Sequence, residues 1–378
     1  MAEGNRPSER PLVVLAAGGT GGHLFPAEAL SHALARHGAR VALMTDTRAA
    51  QYAGSFPAES IHAVPAATPS GRSPVRMAGA LLQLAKGFAA ARSQLKALKP
   101  AVVVGFGGYP TVPPVMAASS LGIPTLVHEQ NAVAGRANRF VAGRAAVIAT
   151  GFADVAGLKP AQAAKCRQVG NPVRPAVLAA VSPYPEIGPG PLRLVVFGGS
   201  QGARIMAEVV APAVALLTPA ERSRLSVVQQ AREEDGERVR NAYAELGVPA
   251  EIAPFFRDLP ARVQGAHLVI ARAGASTVAE LTVIGRPSLL VPLPGSLDQD
   301  QAANAAFLER AGGAIRILQS AFTPQRLAQE LSGLLADPAR LTAMAAAAKS
   351  AGIPDAADRL ARLVLATAGL SSTEMPEP

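Results

Sequence analysis

The sequence predicts an α/β protein made of two doubly wound, Rossmann-like halves that face each other across a cleft. Three observations predict it. Short, near-continuous apolar runs alternate with helical stretches, the pattern of a parallel sheet covered on both faces. The pattern stops in a proline-crowded segment between Gly170 and Gly190, where Pro172, Pro175, Pro183, Pro185 and Pro189 fall, and then restarts. Each half opens on a strand, a glycine-rich turn and a helix: Leu12–Ala16 precedes Gly18-Gly19-Thr20-Gly21-Gly22-His23, and Leu192–Phe197 precedes Gly198-Gly199-Ser200-Gln201-Gly202. A chain of 378 residues is long for one core and suits two.

Taken in order, Leu12–Ala16 reads as a strand because five apolar residues run without a break, and Phe25–Arg36 as a helix that Gly38 stops. Arg40–Met44 is a second strand and Ile61–Val64 a short third. Pro74–Leu98 reads as a long helix, Ala101–Val104 as a strand, and the stretch near Thr111–Leu121 as a helix. Thr125–Val127 and Ala146–Ile148 close the first series. In the second half the strands are Leu192–Phe197, Leu225–Gln229, Glu251–Ala253, Leu268–Ala271 and Ser288–Pro292. Helices are expected at Ala203–Leu217, Pro324–Ala336 and Pro338–Ser350. The expected domains are 1–170 and 171–354. A last helix near 355–368 is expected to pack back on the first domain, and 371–378 to be a disordered tail.

Composition narrows the class. Hydrophobic residues make up 49% and charged residues 17%, the balance of a globular chain. The net charge of +9 points to acidic partners: phosphates, nucleic acid or an anionic membrane face. With no Trp and only four Tyr there are few platforms for stacking bases, so nucleic acid is not expected. A single cysteine, Cys166, forms no internal disulfide and fits a reducing compartment. No Cys/His spacing marks a metal site, and neither metal nor cofactor is expected. Pro100–Val127 is uncharged, but Pro110, Pro113, Pro114 and Pro124 argue against a membrane-spanning helix there. From Ser60 to His128 there is no Asp or Glu, while Arg72, Arg76, Lys86, Arg92, Lys96 and Lys99 alternate with Met77, Leu81, Leu82 and Phe88. A basic, partly apolar helix over 72–99 suits an anionic membrane surface; an ordinary amphipathic core helix is the competing account.

The motifs sit after strands, where the sheets of such folds bind ligands. Gly18–His23 offers bare backbone N–H groups to an anion, with His23 at the rim of the turn and suited to base work near neutral pH. It is not a dinucleotide fingerprint, because no glycine start gives the required third and sixth positions. Asp46, at the end of the second strand, nevertheless keeps a nicotinamide oxidoreductase open. Gly198–Gly202 repeats the anion logic, with Ser200 adding a hydroxyl and Arg174 and Arg204 nearby in sequence. In Arg272–Glu280, Gly274 allows a turn, Ser276 or Thr277 can cap a helix, and Glu280 can hold a ribose diol; a capped helix with a solvated glutamate is the plainer account. The helix start running from Asp298 through Gln301 to Asn304 carries amides that suit sugar hydroxyls. Gly105–Pro110 and His128-Glu129-Gln130-Asn131 are expected on the same edge as Gly18–His23.

Together these motifs resemble the MurG family, the peptidoglycan N-acetylglucosaminyltransferases. The resemblance spans nearly the whole chain and rests on Gly18–His23, Gly107-Gly108-Tyr109-Pro110, His128–Asn131, Gly170-Asn171-Pro172-Val173-Arg174, Gly198–Arg204 and Gly274–Glu280. It implies the GT-B fold, inverting transfer of GlcNAc from UDP-GlcNAc to the 4-hydroxyl of lipid I, and peripheral residence on the cytoplasmic face of the inner membrane. Partners would be UDP-GlcNAc, undecaprenyl-linked lipid I, the anionic membrane and other cell-wall synthesis proteins.

Carried over residue by residue, the resemblance puts Ser200 and Arg174 on the donor diphosphate and the Phe256 backbone on uracil. Ala275, Ser276 and Thr277 line the α-phosphate and ribose, with Glu280 on the ribose hydroxyls. Gln301 and Asn131 reach the sugar. Thr20, Gly21 and Gly22 close over the donor while lining the acceptor's diphosphate site, with Gly18 and Gly19 beside them. Tyr109, His128 and Glu129 are acceptor-side candidates, and His23 is the base or orients the acceptor. Asp300 stands where some members carry a second Gln. A related transferase with another lipid acceptor, a nucleotide-binding oxidoreductase and a silent scaffold stay open as alternatives.

Overall fold

The computed structural model describes residues 10–18, 21–46, 56–67, 74–188, 190–199, 202–296 and 299–370. The expected tail at 371–378 lies outside them, as do Gly19, Thr20, Ser200 and Arg72. The chain divides into two compact units. Unit 1 takes in the chain up to Gln130, Ala134–Arg174, and everything from Asp355 on; unit 2 takes in Asn131–Val133 and Pro175–Pro354.

Unit 1 runs β1 (Leu12–Ala16), α1 (Gly21–Arg36), β2 (Arg40–Thr45), β3 (Ser60–Ala63), α2 (Pro74–Leu98), β4 (Val102–Gly105), α3 (Val112–Ser120), β5 (Thr125–Glu129), α4 (Arg136–Val141), β6 (Val147–Thr150), α5 (Pro160–Ala163) and β7 (Cys166–Gln168). The strands form one parallel sheet in the order β3-β2-β1-β4-β5-β6-β7. Both faces are covered, and β1 shows how. Val13 and Leu15 enter a core with Leu30 and Leu34 of α1, while Leu12 and Val14 enter another with Ala91 and Leu95 of α2 and Ala117 of α3. Alternation along the strand divides its side chains between two dry layers, so every position is apolar.

Unit 2 runs α6 (Pro175–Ala179), β8 (Leu192–Phe197), α7 (Arg204–Ala215), α8 (Pro219–Arg222), β9 (Leu225–Gln230), α9 (Glu233–Glu245), β10 (Ala250–Ala253), α10 (Leu259–Gly265), β11 (Leu268–Ala271), α11 (Ala275–Ile284), β12 (Ser288–Leu290), α12 (Asp300–Arg310), β13 (Ala314–Arg316), α13 (Pro324–Ala336) and α14 (Pro338–Ser350). Its parallel order is β10-β9-β8-β11-β12-β13, the 3-2-1-4-5-6 arrangement of nucleotide-binding sheets. Met206 and Val210 of α7, Tyr243 of α9 and Leu327 and Leu331 of α13 share one core over this sheet. The last helix, α15 (Ala356–Thr367), buries Leu360, Ala361 and Val364 with Leu30 and Leu34 of α1 in unit 1.

Several expected element bounds are corrected. Helix α1 begins at Gly21, four residues before Phe25, and runs through Pro26. Proline there removes one N–H bond, and the buried face of Ala27, Leu30 and Leu34 carries the helix past it. Strand β5 continues through His128 and Glu129 because both are buried, so they belong to the strand and not to a loop. The three-residue edge strands β7 and β13 are too short to show a period in sequence. The helix-start cap is corrected as well: α11 is capped at Gly274 with no side-chain hydrogen bond, so neither Ser276 nor Thr277 caps it.

Candidate active site

Chain order reverses between β1 and β4 in unit 1 and between β8 and β11 in unit 2, and sheets of this kind take ligands at such switch points. In unit 1 the loop after β1 runs directly over the end of β2: a β-carbon at Gly18 would lie 2.7 Å from Asp46 Oδ2 and 2.9 Å from Thr45 Oγ1. Because α1 starts early, His23 sits in its first turn, half-buried, beside Gly21 and Gly22. Its imidazole lies on the bare backbone after β4. A β-carbon on Gly107 would be 3.2 Å from His23 Cε1, and one on Gly108 would be 3.2 Å from Cδ2. Both glycines hold positive φ, 88° and 70°, so conformation and close approach both demand glycine there. The Thr111 hydroxyl lies 2.9 Å from Ala16 O and 2.7 Å from Gly107 O, fixing the ends of β1 and β4 to each other. Tyr109, half-buried, opens the short 3₁₀ turn between β4 and α3.

The end of β5 is held by amides. His128 has no exposed surface; its Nε2–H donates to Gly170 O at 3.0 Å and its Nδ1 accepts from Gln130 Nε2 at 3.1 Å. Burial pushes its pKa down to about 4, partly offset by the Gly170 bond, so the ring is neutral. With both nitrogens engaged, His128 holds the Gly170 carbonyl and the Gln130 side chain in place. Glu129, 2% exposed, accepts at Oε2 from Gly135 N at 2.9 Å and Asn138 Nδ2 at 2.8 Å. Asn138 also donates to His128 O and lies beside Gly107, so it links the carboxylate to the glycine pair under His23. Arg174 belongs to unit 1, where its guanidinium stacks 4.3 Å over the Phe25 ring.

In unit 2 the glycine loop after β8 is gripped by Gln230, which is 5% exposed. Its Oε1 accepts from Gly198 N at 2.9 Å, and its Nε2 donates to Gly199 O at 3.0 Å and Pro254 O at 3.1 Å. The loop leads into α7, whose first N–H groups lack intrahelical partners and carry the positive end of the helix dipole. Arg204 is tied to Glu208 at 2.7 Å, whereas Arg232 packs beside Gly202. Phe256 is buried under the Arg262 guanidinium, 4.3 Å from its ring centre. After β11, Arg272 donates to Val291 O, Pro292 O and Gln319 Oε1, and burial lowers its pKa. Ala275, Ser276 and Thr277 form the first turn of α11, with half-buried Glu280 in the second. Gln301 Oε1 accepts from Ala273 N at 3.3 Å and Leu293 N at 3.0 Å, so the amide oxygen is directed at backbone. Asp300 Oδ1 accepts from Gln301 N at 2.7 Å at the start of α12.

Unit 1 thus gathers His23, Gly107, Gly108, Tyr109 and Glu129 at one sheet edge; unit 2 gathers Gly198, Ala275–Thr277, Gln301 and Asn131 at another. Asn138 and Gln230 carry supporting hydrogen bonds that the sequence reading does not single out, whereas Asn304 falls within the amide-bearing helix start read from sequence. The legible signal for Gln230 is the pair of glutamines, Gln229 and Gln230, that closes strand β9. Among the described residues no group of three or more His, Cys, Asp or Glu could hold a metal ion.

Comparison with known proteins fits this geometry. The glycosyltransferase family 28 N-terminal domain matches residues 13–150 and the family 28 C-terminal domain residues 193–360. The chain is 61% identical to the UDP-N-acetylglucosamine–N-acetylmuramyl-(pentapeptide) pyrophosphoryl-undecaprenol N-acetylglucosamine transferase of Methylobacterium nodulans, over 96% of this chain and 99% of that one. It is 60% identical to the protein of the same description from a Methylobacterium species, over 96% and 99%. Among solved structures it resembles Acinetobacter baumannii MurG, with a TM-score of 0.78 and 30% identity over 94% of this chain and 99% of that one.

Proposed function

Because the chain belongs to the family of UDP-N-acetylglucosamine–N-acetylmuramyl-(pentapeptide) pyrophosphoryl-undecaprenol N-acetylglucosamine transferases, we propose that it moves N-acetylglucosamine from UDP-GlcNAc to lipid I, releasing UDP and lipid II. The observation that carries this is 61% identity over 96% of the chain. Another lipid acceptor and nicotinamide chemistry, both open on the residues alone, have no observation in their favour.

The proposed chemistry is direct displacement with inversion. The muramyl 4-hydroxyl attacks the anomeric carbon, the bond from that carbon to the UDP oxygen breaks, and His23 takes the hydroxyl proton. The support for His23 is its seat in the first turn of α1 against Gly107 and Gly108. The departing diphosphate gains charge, and the N-terminus of α7 behind Gly198–Gly202 supplies oriented N–H groups for it. Ser200, outside the described residues, and Arg174 are the further donor-phosphate candidates. Backbone at Phe256 receives uracil, Ala275–Thr277 the α-phosphate and ribose, Glu280 the ribose diol, and Gln301 with Asn131 the sugar. Thr20, Gly21 and Gly22 close over the donor while lining the acceptor's diphosphate site, Gly18, Gly19, Tyr109 and Glu129 serve the acceptor, and the buried His128 supports them by holding the end of β5.

The acceptor is lipid-borne, so the protein works at the cytoplasmic face of the inner membrane. Among the described residues no helix is long and apolar enough to cross a membrane. Helix α2 leaves Met77, Leu81 and Leu82 exposed at 39%, 57% and 56%, near Lys86 in a stretch without acids. That combination favours peripheral docking on anionic lipid.

The test is transfer of labelled GlcNAc from UDP-GlcNAc to a lipid I analogue with stoichiometric UDP release; absence of transfer, or equal use of UDP-glucose, would refute the reading. His23→Ala is expected to lower kcat by roughly 10²-fold or more at unchanged affinity for UDP-GlcNAc. Normal turnover would remove His23 from the mechanism.

A further inference from the structure

Unit 2 holds a cavity of about 510 Å³ between residues 181–184, the turn at 284–286 that joins α11 to β12, and one face of α14. Arg286 comes just before β12, and Tyr184 donates to His267 O just before β11, at 2.8 Å. The cavity therefore lies at the amino-terminal edge of the strands. The donor candidates follow their carboxyl ends, the edge where such sheets take their ligands, so the reaction assigned above does not use this cavity.

No Asp or Glu lines the cavity, while Arg286 and Lys349 do. Arg286 has no exposed surface, and its five N–H groups are all spent. Nε donates to Val263 O and Gln264 O, Nη1 to Ile284 O and Gly285 O, and Nη2 to Gln264 O, Ser182 Oγ and Pro183 O. Four of those carbonyls stand at the carboxyl ends of α10 and α11, which suit a cation. Arg286 thus lends the cavity positive potential but no donor. The hydroxyls are spent as well: Ser182 donates to Pro183 O and Thr342 to Pro338 O, each at 3.2 Å, and Tyr184 to His267 O. One side-chain donor remains. Among the described residues, the Lys349 ammonium has neither an ion pair nor a hydrogen bond. Its stem crosses Gly285, where a β-carbon would lie 2.8 Å from Lys349 Cδ, and the φ of 78° there also demands glycine.

That donor count selects the ligand. A phosphate dianion would give up its water for one donor and apolar walls, which costs more than it returns. A neutral molecule would leave the ammonium unused. We propose that the cavity is a second ligand site that takes a small organic monoacid. The carboxylate meets Lys349, and the apolar body lies against Val181, Pro183, Ile284 and Ala346. The volume is within the roughly 300–1,000 Å³ of small-molecule sites, which are mostly apolar with a few placed polar groups. The proposal stands on unit 2 alone and does not depend on which reaction the chain performs.

The experiment is calorimetric titration of the full chain with octanoate, octan-1-ol and inorganic phosphate. Octanoate is expected to bind one to one and at least tenfold more tightly than octan-1-ol, and phosphate is expected not to displace it. Lys349→Gln should weaken octanoate tenfold or more and leave octan-1-ol within twofold, since it removes the charge and keeps most of the stem. Ala346→Trp, on the exposed side of α14, should fill the cavity and abolish binding of both. No saturable octanoate binding, equal affinity for the alcohol, or displacement by phosphate would each overturn the proposal. Octanoate binding that survives Ala346→Trp would place the ligand elsewhere and overturn it too. Should Ala346→Trp fail to fold, Lys349→Gln at its exposed position decides alone, and unchanged octanoate affinity there refutes the site.

Discussion

His128 ends β5 with no exposed surface, and its ring bonds fix one neutral tautomer. Burial places its pKa at about 4, below the ordinary value of 6.5. Between those two values the unfolded chain binds a proton that the folded chain refuses. Stability contributed by the neutral ring is thus complete above pH 6.5 and drains away as pH falls toward 4, by up to about 3 kcal/mol at ~1.36 kcal/mol per unit. The melting temperature of His128→Gln should decline less steeply than wild type across that window; parallel slopes would contradict the assignment. The sequence showed a His-Glu-Gln-Asn run after an apolar strand, which is why it was placed at the site. It could not show that the ring is enclosed, because the groups that enclose it, Phe106 and Gly170, lie far along the chain.

At the scale of elements, hydrophobic period carried the reading a long way and failed where an element is short or where burial extends it. The long helix Pro74–Leu98 and the apolar strands are legible because each repeats a local pattern. The early start of α1 is not, since Gly21 and Gly22 carry no helix signal and His23 in the first turn packs on the Gly107–Gly108 backbone far along the chain. Helix α15 illustrates which contacts hold an element. Arg36 and Asp358 meet at 2.9 Å, but Arg36 is exposed and Asp358 only half-buried, and such solvated pairs contribute between ~0 and 1 kcal/mol. Leu360 is fully buried between α15 and α1, and its truncation should cost roughly 2–5 kcal/mol through lost transfer energy and the cavity left behind. Urea titration followed by circular dichroism should therefore separate Leu360→Ala, strongly destabilised, from Asp358→Ala, close to wild type. Equal effects would mean that the ion pair, not the apolar face, seats the helix.

At the scale of the whole molecule, charge and exposure combine. A chain of net charge +9 with exposed Leu81 and Leu82 on an acid-free stretch should bind vesicles containing anionic lipid. Binding should weaken as salt rises from about 0.05 M to about 0.5 M, because the Debye length shortens from roughly 14 Å to 4 Å. Replacing both leucines by aspartate should abolish sedimentation with phosphatidylglycerol vesicles while zwitterionic vesicles bind neither form. Retained binding by the double variant would move the membrane surface elsewhere.

The two parallel sheets, the glycine-rich turns that open them and the family were all determined by the sequence itself. Apolar periodicity, proline punctuation and glycine-dependent turns are local constraints, written within a few residues of where they act. The tertiary structure alone decided which side chains hold the strand ends and the loops after them: Gln230 on Gly198, Asn138 on Glu129, and Asn304 on Ala132, 172 residues away from it in the chain. A side-chain hydrogen bond depends on a partner that folding brings near, and nothing in the neighbouring residues records who that partner will be.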